Sequence, residues 1–267
     1  FNTTDVVFKT PYLRESFQKN GKKVTDIISE TLPNTIFLAF FAIGIAITIG
    51  ITLGILSALY KDSLFDKTIA IISTFGMSLP SFFCAILAAW IFGFVLHKYT
   101  GLNMTGSLYE MDNFGEGVHI HLKNSILPAA VLGIRPLGVV IQLMRNSLLE
   151  VLNQDFIRTA KAKGLPTSKI IYKHALKNAL NPVVTAISGW FASMLAGAVF
   201  VEFIFGWNGL GKEIVDALNN LDLPIIMGSV LVIATTFVII TILVDVIYAY
   251  LDPKIKLNKN EKKYNSN

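Results

Sequence analysis

From Asn34 to Tyr60 no residue carries a charge. A helix of that length exceeds the roughly 20 apolar residues needed to cross a bilayer core of about 30 Å. Four further apolar blocks follow, at 68–96, 125–144, 182–201 and 225–250. Inside lipid a backbone must satisfy its own hydrogen bonds, so each block is read as helix. Charged residues make up 15% of the chain and the mean hydropathy is +0.57, whereas a soluble domain carries roughly a quarter charged residues. The reading is an all-α, polytopic membrane helix bundle with five spans.

Pro80 sits inside the second block and removes a backbone donor, so that span is expected to kink or break there. Gly50, Gly54 and Ala58 recur every four residues in the first block. Gly189, Ala192, Ser193, Ala196 and Gly197 do much the same in the fourth. Each stripe lets a second helix approach closely. Residues 1–31 are mixed and charged. Val24, Ile27 and Ile28 share one helical face, which predicts an amphipathic lead-in helix ending near Pro33. The membrane domain then covers 32–256, and a polar tail covers 257–267.

Lysine and arginine fall in alternate loops. The 145–181 loop carries Arg145, Arg158, Lys161, Lys163, Lys169, Lys173 and Lys177. The tail carries Lys254, Lys256, Lys259, Lys262 and Lys263, while 202–224 has Lys212 alone. The positive-inside rule places the 145–181 loop and the C-terminus in the cytoplasm. Five spans then put a basic N-terminal segment outside, which implies a sixth helix upstream of residue 1. The net charge of +5 reflects this topology, and no nucleic-acid partner is expected.

The basic loop contains a polar island, Asp155-Phe-Ile-Arg-Thr-Ala-Lys-Ala-Lys-Gly164-Leu-Pro166 and on through His174 to Pro182. It reads as two short helices joined at Gly164-Leu-Pro166. Ile157, Ala160 and Gly164 lie on one face. Pro166 stops the first helix, and Thr167 or Ser168 caps the second. Such a piece suits a groove on another protein, or equally an interfacial helix lying on anionic lipid.

The island resembles the cytoplasmic coupling loop of permeases from binding-protein-dependent ABC importers, in the dipeptide, oligopeptide and nickel branch. Leu32-Pro-Asn-Thr35, Ser78-Leu-Pro-Ser81, Arg145-Asn-Ser-Leu-Leu-Glu-Val151, Gly206-Trp-Asn-Gly-Leu-Gly211 and Asp245-Val-Ile-Tyr-Ala-Tyr-Leu-Asp-Pro-Lys254 fit the same branch. Asn208 stands where that branch usually has proline. The resemblance covers roughly residues 22–256.

It implies a bacterial inner-membrane subunit that forms half of a translocation pathway. The implied partners are a second homologous permease, two cytoplasmic ATP-binding subunits, an extracytoplasmic substrate-binding protein and membrane lipid. Peptides are the implied solute, with nickel or another small solute as the alternative. Asp155, Arg158, Thr159, Ala160, Lys161, Ala162, Lys163, Gly164, Leu165, Pro166 and His174 are the implied ATPase-coupling residues. The chain lacks a G-x-x-x-x-G-K-[ST] loop, so ATP hydrolysis is assigned to partners. The subunit is not expected to be an enzyme, and neither cofactor nor resident metal is expected. An ion-coupled secondary transporter would show paired midplane carboxylates or inverted repeats. An intramembrane enzyme would show H-E-x-x-H or G-x-S-x-G.

Arg135, Pro80 and Glu202 are the candidate pathway or gating residues. Arg135 interrupts a span, where a charge is costly and faces a cavity or a partner; it either lines the solute path or pairs with Asp245. Glu202, at the outer end of its span, orients the 205–211 turn, touches the binding protein or is simply solvated. His119 and His121 share one side of an extended segment but read as solvent-exposed residues. Cys84, the single cysteine, reads as a packed thiol.

Overall fold

The computed structural model describes residues 12–111 and 117–251. The first helix, α1, runs unbroken over Val24–Leu59. The separate lead-in helix ending at Pro33 is therefore not found. Val24, Ile27 and Ile28 are buried against Leu210, Ala217 and Ile225, and this long-range packing carries the helix through a proline that costs one backbone bond.

After a turn at 60–63 the second block splits. Helix α2 covers Leu64–Ser78 and α3 covers Ser81–Ala88, continuing as π-helix over Ala89–Val95. The two halves bend by 109° at Leu79-Pro80. Each half of 15 residues reaches only about 22 Å at 1.5 Å per residue, so neither alone crosses a bilayer. The expected break at Pro80 is present, as a bend somewhat past a right angle.

A short helix, α4 (His97–Thr100), leads to a two-stranded antiparallel hairpin. Its strands are β1 (Tyr109–Met111) and β2 (Val118–Ile120), with Glu110 opposite His119. His119 and His121 are both exposed. Helix α5 (Lys123–Leu152) returns across the bundle. Then come α6 (Asp155–Ala162), α7 (Thr167–Lys169), a π-helical stretch at Ile170–Ala175 and α8 (Leu176–Phe205). Helices α9 (Leu210–Asn219) and α10 (Leu223–Leu251) complete the described chain.

Among the described residues, α1, α5 and α10 are long and apolar enough to cross a membrane, and the bent α2–α3 pair makes a fourth candidate. Helix α8, at 30 residues, is about 45 Å long, longer than a bilayer core is thick.

The α1 glycine stripe meets α5. A side chain at Gly50 would run into Val140, and one at Gly54 into Met144 and the Ile141 carbonyl. In return, Gly133 of α5 lies against the Ala42 carbonyl. Of the second stripe, Gly189 and Ser193 of α8 are exposed, and among the described residues nothing stands within 4 Å of a β-carbon built at Gly189. The central core joins α1, α3, α5 and α8 through Leu38, Ala42, Cys84, Leu132, Met194 and Val201. Cys84 is buried there as a free thiol. The outward faces of α10, including Leu231, Val238 and Ile242, are exposed, as lipid-facing positions are. The polar tail and Lys254 lie outside the described residues.

Candidate functional site

The polar island forms a compact step between α5 and α8. Ile157 and Ala160 of α6 share one buried cluster with Met144, Leu148 and Val151 of α5. Ile170 and Ala175 of the return segment join the same cluster with Ala179 and Val183 of α8. These contacts fix the segment to two long helices at once. The opposite surface carries Asp155, Arg158, Thr159, Lys161, Ala162, Lys163, Gly164 and Pro166, all exposed, while Leu165 and His174 are half-buried. The Arg158–Asp155 pair at 3.5 Å is exposed on both sides and adds little stability.

Gly164 ends α6. Its φ is +73°, a left-handed conformation that side chains with a β-carbon resist. The Leu165 N–H donates to the Ala160 carbonyl (3.3 Å), and the Gly164 N–H donates to the Lys161 carbonyl (2.9 Å). That pair of bonds is a Schellman motif, with Leu165 folded back beside Ala160. So Gly164, ahead of Pro166, is what turns the chain. Among the described residues no atom stands within 4 Å of a β-carbon built at Gly164, so the glycine is required for backbone conformation and leaves open space beside it. The expected cap by Thr167 or Ser168 is absent: Pro166 occupies the N-cap and Thr167 is already the first helical residue. With φ fixed near that of a helix entry, proline supplies the start without a side-chain bond.

Two residues on this surface went unnoticed in the sequence. Tyr172 is 84% exposed and Phe156 is 40% exposed. Phe156 is out of phase with the buried Ile157 and Ala160, and Tyr172 with the buried Ile170 and Ala175.

At the same end of the bundle, Arg145 donates from Nε to Asp66 Oδ1 and from Nη2 to Asp66 Oδ2, each at 2.6 Å. The Ser57 hydroxyl and the Asp62 N–H also donate to that carboxylate. The pair therefore ties α1, the turn before α2 and α5 together, ten residues ahead of Asp155, where the island begins.

The opposite end is built around Trp207. Its indole is fully buried, lies parallel to Phe37 at 6.4 Å and donates to the Asn34 carbonyl at 3.1 Å. Asn34 in turn donates to the Asn208 carbonyl (2.7 Å), and Thr35 Oγ1 accepts from the Leu210 N–H (2.8 Å). Glu202 accepts from the N–H groups of Gly211 (2.7 Å) and Lys212 (3.3 Å). Gly209, the N-cap of α9, brings no side chain, so Glu202 and Thr35 satisfy that helix's first donors. Glu202 is wholly buried. It orients the 205–211 turn, and the solvated reading is set aside. The glycines follow: a β-carbon at Gly209 would strike the Glu202 carboxylate, and one at Gly211 the Val199 backbone.

Arg135 lies on α5 and is exposed. It lines a small recess with Ser81, Leu132, Pro136, Trp190, Ser193 and Met194. The side chain of Asp245 lies outside the described residues, so their pairing is not addressed. Pro80 is the N-cap of α3, one residue before the recess. Among the described residues no group of three or more His, Cys, Asp or Glu side chains is placed to hold a metal.

Residues 50–257 match the model of the binding-protein-dependent transport system inner membrane component family. A dipeptide transport system permease protein of Alkalihalophilus pseudofirmus is 39% identical over 251 residues, covering 89% of this chain and 75% of that protein. One from Haemophilus influenzae is 38% identical, over 90% of this chain and 76% of that protein. Among solved structures, the inward-facing MetNI methionine ABC transporter has a chain that superposes with a TM-score of 0.67 at 14% identity, covering 85% of this chain and 97% of that one; this likeness establishes the fold. The chain belongs to the family of inner-membrane components of binding-protein-dependent transport systems.

Proposed function

We propose that this chain is one of two permease subunits of an ATP-driven importer of di- and oligopeptides. The island at 150–181 is its contact with the cytoplasmic ATPases. The observation that carries this reading is the two-sided build of the island. Ile157, Ala160, Ile170 and Ala175 anchor it to α5 and α8, while Arg158, Lys161 and Lys163 stay exposed. A rigid step of this kind passes a displacement at its outer surface to both long helices, as mechanical coupling requires a contiguous packed path.

Phe156 and Tyr172 supply the apolar anchors of the ATPase contact, a role aromatic residues commonly take in interfaces, and the basic residues orient it. The lysine and arginine distribution supports a cytoplasmic island and C-terminus. The Trp207 end then faces the extracytoplasmic binding protein. The peptide solute is supported by the similarity to dipeptide permeases over most of the chain. A second, homologous permease completes the pathway.

The test is isolation of the full-length protein from mild detergent, followed by reconstitution with what accompanies it. Recovery of a second permease and ATPase subunits, with ATP-driven uptake of labelled dialanine once binding protein is added, is the expected result. Uptake by this protein alone, without an ATPase, would sink the reading.

A further inference from the structure

We infer that Arg135, at the break between α2 and α3, forms a subsite in the membrane interior that receives a carboxylate of the passing solute; this rests on the importer reading above. Arg135 is the thirteenth residue of α5, about 18 Å along its axis, within a span that carries no other charge from Asn124 to Met144. Among the described residues no carboxylate stands within ion-pair distance of it. An intramembrane cation with no counter-charge among the described residues points to a ligand or ion path.

The surroundings are chemically suited to an anion. Ser81 lines the recess and is the first residue of α3. The first N–H groups of a helix have no acceptor within it, and half-helix N-termini at mid-membrane favour anionic substrate groups. The Cys84 N–H is the first to fold back, onto the Pro80 carbonyl. Ser193 adds a hydroxyl, and Trp190 a flat apolar wall. On the other side, Pro136 has no N–H to give the Leu132 carbonyl, its helical partner.

Size separates the parts. The recess holds about 60 Å³, room for a carboxylate but not for a side chain. Trp190 and Ser193 also line a neighbouring cleft of about 250 Å³ with Thr185, Ala186 and Gly189. A tight anion site beside a roomier cleft with small walls reads one common group and tolerates varied side chains.

The experiment titrates the complete complex in nanodiscs, without binding protein, with dialanine and with alanyl-alaninamide, following tryptophan emission. Saturable binding of dialanine about tenfold or more tighter than the amide is expected, that being the scale of a charge-assisted bond. Arg135→Gln is expected to bind both equally weakly, and Arg135→Lys to fall between. Equal binding of acid and amide by the unaltered complex, no dialanine binding, or unchanged dialanine binding by Arg135→Gln would each overturn the subsite. Dialanine uptake by the complete importer is measured in parallel. Loss of uptake in the unaltered complex condemns the importer reading, whereas uptake without acid-over-amide preference condemns the subsite alone.

Discussion

Arg145 grips Asp66 with two parallel bonds of 2.6 Å, Nε to Oδ1 and Nη2 to Oδ2, across 79 positions of sequence. Asp66 is almost wholly buried, and Arg145 is about three-quarters buried. The fork matches the carboxylate as no lysine can. Ser57 joins the same carboxylate from α1, so three helices meet at one charge.

Removing one partner of such a pair leaves a buried charge alone. Arg145→Met is therefore expected to cost about 3–5 kcal/mol, while Arg145→Met combined with Asp66→Leu costs much less. Thermal unfolding of the purified complex checks this. Equal losses in the single and double variants would show that the pair contributes shape and not charge compensation.

At Gly164 the backbone, more than the space around it, sets the requirement. Gly164→Asn, which tolerates the left-handed conformation, is expected to keep most transport. Gly164→Glu places a β-carbon there at about 1–2 kcal/mol and disturbs the turn between α6 and α7. The protein still reaches the membrane, but less peptide enters per ATP hydrolysed. Parallel measurement of uptake and ATP turnover in proteoliposomes decides it; normal uptake by Gly164→Glu counts against the coupling assignment.

The Trp207 end separates two kinds of loss. Trp207→Phe keeps a ring beside Phe37 but gives up the bond to the Asn34 carbonyl, a change of about 1 kcal/mol plus lost packing. Glu202→Ala strips the N–H groups of Gly211 and Lys212 of their acceptor in a buried place, costing about 1–3 kcal/mol. Gly211→Ala pushes α9 away from the Val199 backbone. If α9 is part of the binding-protein surface, Gly211→Ala raises the binding-protein concentration needed for half-maximal uptake, which a titration reads directly.

The spans were legible because lipid demands long apolar blocks, and no tertiary contact is needed to see them. Gly164 and Pro166 were legible as a turn because both act on the local backbone. The continuity of α1 through Pro33 was not, since it depends on Leu210, Ala217 and Ile225, nearly two hundred residues away. Leu32-Pro-Asn-Thr35 and Gly206-Trp-Asn-Gly-Leu-Gly211 were both visible as motifs. Only the fold shows that Asn34 and Thr35 exist to hold the second. Asp66 drew no attention and Arg145 was read only as a loop cation and part of a motif, because each looks like an ordinary charge at the edge of a span. Glu202 looked the same, and its burial follows from α9 folding back over it.

Asp222 ties the segment before α1 to the start of α10 and makes that end of the bundle sensitive to acid. Its carboxylate accepts from the Ser16 hydroxyl and from the N–H groups of Phe17 and Gln18, both at 3.2 Å. Burial raises its pKa, but the Ser16, Phe17, Gln18 and Ile225 donors outweigh that and hold it below its ordinary value of 3.8. A carboxylate lowered in the folded state adds stability above its unfolded pKa and loses it as pH falls through the folded one. The contribution is thus complete at neutral pH and is lost progressively as the pH falls from about 4 through the lower folded value. Asp222→Asn is expected to lower thermal stability at pH 7 and to close the gap to the unaltered protein as the pH drops toward 3. Melting curves of both proteins between pH 7 and 3 provide the check. A gap that stays constant over that range would mean the carboxylate's charge contributes nothing and the loop is held by shape alone.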